Sequence, residues 1–278
     1  MKLPIITWML LIGHFGAIDL PAVTIEKISL PVVADIQRAD IYYVKCAAAP
    51  KAILVLCPGY NGSGEVLIQE TTWQKFVGEN NLGLVGVSFA SDAEALKGGR
   101  GYYYASQGSG ELLLQAIRQA YGQDLPLLIY GFSGGAQFTS RFVEWKPDRV
   151  IAWCAYSAEW WDKPAKSEKM PPGIVACGDE DERLGASLIY FKQGRAMKKP
   201  WLWIDLPKAG HAWSALLDDF VRAYFEIILY GDGKSPGIWV DIDTMKKYPN
   251  QKDIVYSSES AWLPSEDLLP LWKKIDVP

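Results

Sequence analysis

Histidine is scarce in this sequence, with only His14 and His211 among 278 residues. Cysteine is scarce too, and its four positions show neither the spacing of metal ligands nor that of a disulfide framework. Each cysteine lies in or beside an apolar run, which predicts free, buried thiols. A metal site is therefore not expected. The cysteines are Cys46, Cys57, Cys154 and Cys177.

An excess of positive charge is also missing, because 28 Lys and Arg residues face 32 Asp and Glu residues, for a net charge of −4. Neither a nucleic acid nor an anionic membrane surface is therefore expected as the main partner. Disorder is excluded by the hydrophobic content of 49% and the aromatic content of 13%. A chain of this length buries about three quarters of its unfolded surface, so it needs no metal or disulfide to fold.

A membrane-spanning run is missing as well. The apolar stretch 3–17, which follows Lys2, is shorter than the roughly 20 residues that cross a bilayer, but it suits the central region of a signal peptide. No clean small-x-small cleavage site follows it. We predict that residues 1–22 are a signal peptide or leader of a periplasmic or secreted protein, without stable membrane insertion once the leader is removed. The alternatives are a buried N-terminal strand or a leader that lies along the membrane, and, for the location, the cytoplasm.

Apolar runs of strand length alternate with helix-length segments over residues 23–229. Two runs alternate apolar and polar residues, which is typical of half-buried antiparallel strands. Six later runs are continuously apolar, which is typical of parallel strands covered by helices. The pattern predicts an α/β protein with a mostly parallel central sheet of about eight strands and helices on both faces. The runs are 23–30, 41–46, 52–57, 84–87, 125–130, 150–154, 174–177 and 201–204, and the helix candidates are 111–121, 135–145 and 216–229.

The final segment, residues 230–278, departs from this rhythm. It opens with turn-forming residues over 231–237 and continues with two short strand candidates at 238–242 and 254–256. A closing amphipathic stretch carries Leu268, Leu269, Leu271, Trp272 and Ile275. We predict a C-terminal extension packed on the main domain rather than a second domain.

Ser133 is the central residue of a Gly-x-Ser-x-Gly pattern over residues 131–135, between a predicted buried strand and a predicted helix. A serine at such a sharp turn is held in strained geometry, with its hydroxyl exposed above the sheet. The N–H groups that open the following helix can stabilise a developing oxyanion. The pattern therefore makes Ser133 a candidate nucleophile. The alternative is a glycine-rich turn whose serine has no catalytic role.

Two further loops carry the groups that such a serine needs. A serine hydroxyl requires a general base, and a histidine base requires a carboxylate on its other nitrogen. His211 follows the apolar run 201–204, and four consecutive acidic residues, 179–182, follow the run 174–177. Carboxyl ends of parallel strands meet at one edge of the sheet, where open α/β folds build their sites. The order serine, acid, histidine matches one known arrangement of the triad.

With these motifs, residues 51–229 resemble the α/β-hydrolase superfamily, in its dienelactone-hydrolase-like, feruloyl-esterase-like and cutinase-like esterase branch. The resemblance rests on the turn at Ser133, on Gly178-x-x-Asp181, on His211 after a glycine, and on the loop 57–62 after the first parallel strand. It implies that residues 23–229 form the catalytic domain, that Asp181 is the acid, and that the backbone N–H groups of Tyr60 and Gly134 form the oxyanion hole. Dienelactone hydrolases proper use a cysteine nucleophile, so that activity is not implied.

The predicted function is a serine carboxylic-ester hydrolase that works through an acyl-enzyme, with no metal or organic cofactor. Its partner would be a small-molecule or polymer-linked ester; the sequence does not indicate the oligomeric state. A serine peptidase on the same fold and a non-catalytic binding protein of the same fold remain alternatives. Four aromatic residues near the predicted triad are candidates for substrate binding: Phe132, Trp160, Trp161 and Trp213.

Overall fold

The computed structural model describes residues 23–46, 48–167, 169–231, 236–249 and 258–275. The predicted leader, residues 1–22, lies outside them. Eight strands form the central sheet, and each of the eight predicted runs overlaps one of them. The strands are β1 (Ile25–Ser29), β2 (Arg38–Val44), β3 (Ala52–Cys57), β4 (Leu82–Ala90), β5 (Leu127–Phe132), β6 (Val150–Tyr156), β7 (Gly173–Gly178) and β8 (Trp201–Leu206).

The sheet order is β1-β2-β4-β3-β5-β6-β7-β8. Strand β2 pairs antiparallel with both β1 and β4, and all other neighbours pair parallel. Every residue of β3 and β7 is buried. Because successive side chains of a strand point to opposite faces, the sheet is covered on both faces at these strands. The predicted fold class, a mostly parallel sheet of about eight strands, is confirmed.

Helices pack against this sheet, and those at 109–121, 134–145 and 215–230 match the three predicted segments. The helices before the C-terminal extension are α1 (Gly64–Ile68), α2 (Thr71–Asn80), α3 (Ala93–Lys97), α4 (Ser109–Tyr121), α5 (Gly134–Trp145), α6 (Leu184–Ala196) and α7 (Ala215–Tyr230). Helix α6 was not predicted, because its buried face includes Ser187, Gly194 and Arg195, which hide the apolar periodicity. Among the described residues, no helix has the length and apolar character needed to cross a membrane.

The C-terminal segment packs on the main domain through an antiparallel pair, β9 (Ile238–Asp241) and β10 (Ser260–Leu263), and a last helix, α8 (Leu269–Ile275). Strand β10 contacts β8, and α8 contacts α7. Arg195 of α6 donates hydrogen bonds to the backbone carbonyl of Ser260 at 2.7 Å and to its hydroxyl at 3.0 Å. The predicted strand at 254–256 lies outside the described residues, and the observed partner of β9 is β10.

The four cysteines are free thiols. Cys57, Cys154 and Cys177 are buried, as the apolar runs around them predict. Cys46 differs, because it follows the end of β2 and is only partly buried.

Candidate active site

Ser133 stands at the turn between β5 and α5 with φ 53° and ψ −117°. A positive φ is strained for a residue with a side chain, and surrounding structure must hold it in place. The backbone N–H of Ser133 donates to the carbonyl of Tyr156 at 2.8 Å. The glycines that flank Ser133 allow the first turn of α5 to lie against the end of β3, since a methyl group on Gly135 would lie 2.1 Å from the carbonyl oxygen of Cys57. The Gly-x-Ser-x-Gly pattern therefore folds into the strained turn expected from the sequence.

The structure brings the three predicted triad residues together at the carboxyl ends of β5, β7 and β8. Ser133 Oγ lies 2.9 Å from His211 Nε2, and His211 Nδ1 lies 2.7 Å from Asp181 Oδ2. An ionised carboxylate accepts hydrogen bonds but donates none, so it favours the tautomer with the proton on Nδ1. Nε2 is then left to accept the serine proton, which is the arrangement a general base requires.

Asp181 differs from the other acidic residues of its turn in being buried, with no exposed side-chain surface. Burial alone raises its pKa, but hydrogen bonds from His211 and from the backbone and side chain of Arg183 outweigh this and leave the pKa below its usual value. The carboxyl group is therefore ionised at neutral pH. Asp179, Glu180 and Glu182 are exposed, which fits a solvated turn.

Aromatic contacts and one hydrogen bond hold the loop that carries His211. The ring of Phe132 stacks on the imidazole, with centroids 4.9 Å apart and planes 26° apart. The ring of Trp213 packs edge-on against Phe132 at 5.4 Å. The hydroxyl of Tyr156 donates to the backbone carbonyl of Ala212 at 2.5 Å. These contacts restrict the histidine to the position that faces Ser133.

Asp218 of α7 holds Trp213 in place through a hydrogen bond. Its carboxylate accepts hydrogen bonds from Trp213 Nε1 at 2.7 Å and from the hydroxyl of Tyr130 at 2.8 Å. Burial raises the pKa of Asp218 to about 6, and the two hydrogen bonds only partly offset this. Asp218 was not predicted as a site residue. Its signal in the sequence is an acidic residue on the otherwise apolar buried face of α7.

This carboxyl group predicts a pH-dependent stability. Its folded-state pKa of about 6 exceeds its ordinary value of 3.8, so the folded protein keeps a proton that the unfolded chain has lost. The contribution of Asp218 to the free energy of unfolding is therefore fully present below pH 3.8 and is lost as the pH rises through about 6. Between about pH 4 and about pH 8, the wild type should lose about 2–3 kcal/mol more unfolding free energy than Asp218→Asn. Urea unfolding at a series of pH values measures this; parallel curves for the two proteins would contradict it.

The backbones of Tyr60 and Gly134 approach each other next to Ser133, at a place we term the oxyanion corner. A methyl group on Gly134 would lie 2.8 Å from the backbone nitrogen of Tyr60. Gly134 opens α5, so its N–H has no acceptor within the helix. The two residues therefore lie side by side, and their role as the oxyanion hole stays a prediction.

A hydrogen-bond network that was not predicted from the sequence fixes the loop that carries Tyr60, which we term the oxyanion loop. The side chain of Asn61 donates to the backbone carbonyl of Ser91 and accepts from its N–H, both at 3.1 Å. The N–H of Asn61 donates to the hydroxyl of Tyr102 at 3.1 Å. Arg38 donates to the carbonyl of Asn61 at 2.6 Å. Because all of these bonds lie within the protein, they fix the backbone of the neighbouring Tyr60.

Gly134→Ala should lower kcat about 100-fold or more, a loss typical of an oxyanion donor, without unfolding the protein. The added methyl group would lie 2.8 Å from the nitrogen of Tyr60 and 2.9 Å from its Cα, so the loop has to move away. Alanine itself favours a helix more than glycine does. Steady-state ester hydrolysis and a thermal melt measure the two effects. Gly185→Ala in α6 is the matched control, because a methyl group there meets nothing within 4 Å. Equal rates for both variants would contradict the prediction.

The four aromatic residues predicted to bind substrate have different surroundings. Phe132 stacks on the imidazole of His211, and Trp213, in the same loop as His211, packs on Phe132. The ring of Trp160 faces Tyr103 at 6.2 Å, and Tyr103 reaches the oxyanion corner. Trp161 instead stacks on the buried Tyr190 of α6 at 4.2 Å, so packing accounts for that ring. The structure brings three of the four close to the triad or the oxyanion corner.

The sequence matches no protein-family model and no curated protein. The fold does match solved structures. A CE1 ferulic acid esterase from the anaerobic fungus Anaeromyces mucronatus has a TM-score of 0.57 and 14% identity, with 74% of this chain and 91% of that chain covered. The poly(3-hydroxybutyrate) depolymerase LpqC from Bordetella parapertussis has a TM-score of 0.54 and 16% identity, covering 77% and 91%. The fluorophosphonate-binding serine hydrolase FphF from Staphylococcus aureus has a TM-score of 0.54 and 12% identity, covering 74% and 98%.

These neighbours are thus a ferulic acid esterase, a poly(3-hydroxybutyrate) depolymerase and a serine hydrolase. The protein has the α/β-hydrolase fold, and the resemblance drawn from its sequence motifs is confirmed at the level of the fold.

Proposed function

We propose that this protein is a serine hydrolase that cleaves carboxylic esters through an acyl-enzyme formed on Ser133. The observation that carries the proposal is the continuous hydrogen-bonded series from Ser133 Oγ through His211 to Asp181, with distances of 2.9 and 2.7 Å. The strained turn and the adjacent backbone donors support it. Its structural neighbours, a ferulic acid esterase and a poly(3-hydroxybutyrate) depolymerase among them, point to the same class.

In the first half-reaction, Ser133 Oγ attacks the ester carbonyl carbon while His211 Nε2 takes the hydroxyl proton. The carbonyl oxygen becomes an oxyanion, to which the N–H groups of Tyr60 and Gly134 donate. The intermediate collapses with cleavage of the bond to the alcohol oxygen, and the proton on His211 passes to the departing alcohol. Asp181 stabilises the transient imidazolium and keeps the ring in the correct tautomer.

In the second half-reaction, a water molecule attacks the acyl carbon and gives its proton to His211. A second oxyanion forms in the same corner. Its collapse breaks the bond to Ser133 Oγ, which regains its proton from His211 as the acid leaves. This chemistry uses only side-chain and backbone groups of the chain, so we propose that it needs no cofactor.

The proposed substrate is a small-molecule or polymer-linked ester. Phe132 and Trp213 supply apolar surface beside the imidazole, and Trp160 supplies it on the side of Tyr103. A serine peptidase would use the same triad, and no observed contact favours an amide substrate over an ester.

The test combines labelling with a substrate panel. A fluorophosphonate probe should attach to Ser133, as located by peptide mapping, and the protein should hydrolyse p-nitrophenyl acetate. A matched panel of esters and peptides separates an esterase from a peptidase. Absence of both labelling and turnover would overturn the proposal and favour a non-catalytic protein of this fold.

We also propose that the protein acts in the periplasm or outside the cell. The support is the apolar stretch 3–17 after Lys2, typical of a signal peptide. Cell fractionation of the full chain and N-terminal sequencing of the mature protein test this. Recovery of uncleaved protein in the cytoplasm would overturn it.

A further inference from the structure

Tyr103, in the loop between α3 and α4, reaches the oxyanion corner with its hydroxyl group. A methyl group placed on Gly134 would lie 2.8 Å from the Tyr103 hydroxyl oxygen, the same distance as from the backbone nitrogen of Tyr60. Both atoms therefore face the space that a side chain at position 134 would fill. Because residue 134, which follows the proposed nucleophile Ser133, is a glycine, the Tyr103 hydroxyl can lie close to its backbone.

The ring of Tyr103 is held firmly in this position. Its exposed fraction is only 4%. It packs edge-on against Tyr102 with ring centroids 4.7 Å apart, and against Trp160 at 6.2 Å. A donor whose orientation is fixed before the reaction stabilises a developing charge without reorganisation cost.

The neighbouring Tyr102 hydroxyl is tied to the oxyanion loop, since it accepts a hydrogen bond from the N–H of Asn61 at 3.1 Å. The Tyr103 hydroxyl carries one proton and faces the space beside Gly134. It can donate this proton to an acceptor placed in that space.

We infer that the Tyr103 hydroxyl is a third hydrogen-bond donor to the oxyanion, beside the N–H groups of Tyr60 and Gly134. This inference rests on the proposed function. Burial raises the pKa of Tyr103 to about 12, so the phenol stays protonated through neutral pH. It donates without losing its proton, and the covalent steps are those already given.

Tyr103→Phe removes the hydroxyl and keeps the ring. Because the oxyanion exists only in the transition state and intermediates, the loss should fall on kcat, by about 10- to 100-fold, with KM changed by less than about 3-fold. Phenylboronic acid, which forms a tetrahedral anionic adduct with a serine nucleophile, should bind more weakly by a similar factor. Circular dichroism and a thermal melt confirm the fold.

Tyr104→Phe is the matched control, since the Tyr104 hydroxyl donates to the backbone carbonyl of Leu96 at 3.3 Å. It should leave kcat unchanged. An unchanged kcat in Tyr103→Phe, an equal loss in both variants, or a rise in KM alone would each overturn the inference and leave the esterase proposal standing. If wild-type turnover is absent or survives removal of the Ser133 hydroxyl, the proposed function fails and the role of Tyr103 fails with it.

Discussion

Ser133→Ala is expected to lower kcat for p-nitrophenyl acetate by about 10⁴- to 10⁶-fold, because the acyl-enzyme cannot form. The residual rate would come from the oxyanion donors and from substrate binding alone. The fold should survive, since the backbone bond from residue 133 to the carbonyl of Tyr156 does not involve the side chain. Initial rates and a thermal melt of the same preparation measure the two quantities.

The matched control is Ser106→Ala, because Ser106 is exposed in the loop before α4. It should keep the wild-type rate. The fluorophosphonate probe should label the wild type and the control once and the Ser133 variant not at all, as read from the intact mass. Ester hydrolysis by Ser133→Ala at the wild-type rate would remove the mechanism.

Asp181→Asn is expected to lower kcat by about 10³- to 10⁴-fold, while the protein keeps its size and shape at the site. An amide can donate to His211 Nδ1, which favours the tautomer with the proton on Nε2 and removes the acceptor that Ser133 needs. The amide also lacks the negative charge that stabilises the imidazolium. Because the pKa of the wild-type carboxyl group lies below its usual value, this charge is present throughout the neutral range.

Asp179→Asn provides the comparison, since the two substitutions are chemically identical and lie in one turn. Asp179 is exposed, whereas the Asp181 side chain is fully buried. Steady-state kinetics of both variants should show the loss at position 181 only. A loss at position 179 instead would reassign the acid within the turn.

The strands of the sheet could be predicted because a buried strand shows its apolar pattern within a short stretch of sequence. The run 52–57 has no polar face, and the structure buries all of it as β3. Helix α6 was not predictable in this way, since Arg195 is buried there and is satisfied by the C-terminal segment. A charged residue that is buried through contacts distant in sequence gives no local signal of its burial.

The residues of the candidate site likewise fall into those predicted from local sequence and those placed by distant contacts. Ser133, Asp181 and His211 each follow an apolar run, and parallel strands place their carboxyl ends at one edge. Asn61, Tyr103 and Asp218 do not follow from this rule. Their positions depend on which loops and helices pack beside the predicted triad. An isolated polar residue in the sequence does not indicate which residue it will contact in the fold.

The amino-acid sequence by itself determined the parallel sheet, the strained serine turn and the order of the three candidate catalytic residues, because strand periodicity and turn chemistry are local properties. Only the tertiary structure decided which acid of the turn is buried against His211, which aromatic rings surround the imidazole, and that Tyr103 meets the space left by Gly134. These outcomes depend on side chains far apart in the chain, whose contacts are set by the packing of the whole domain.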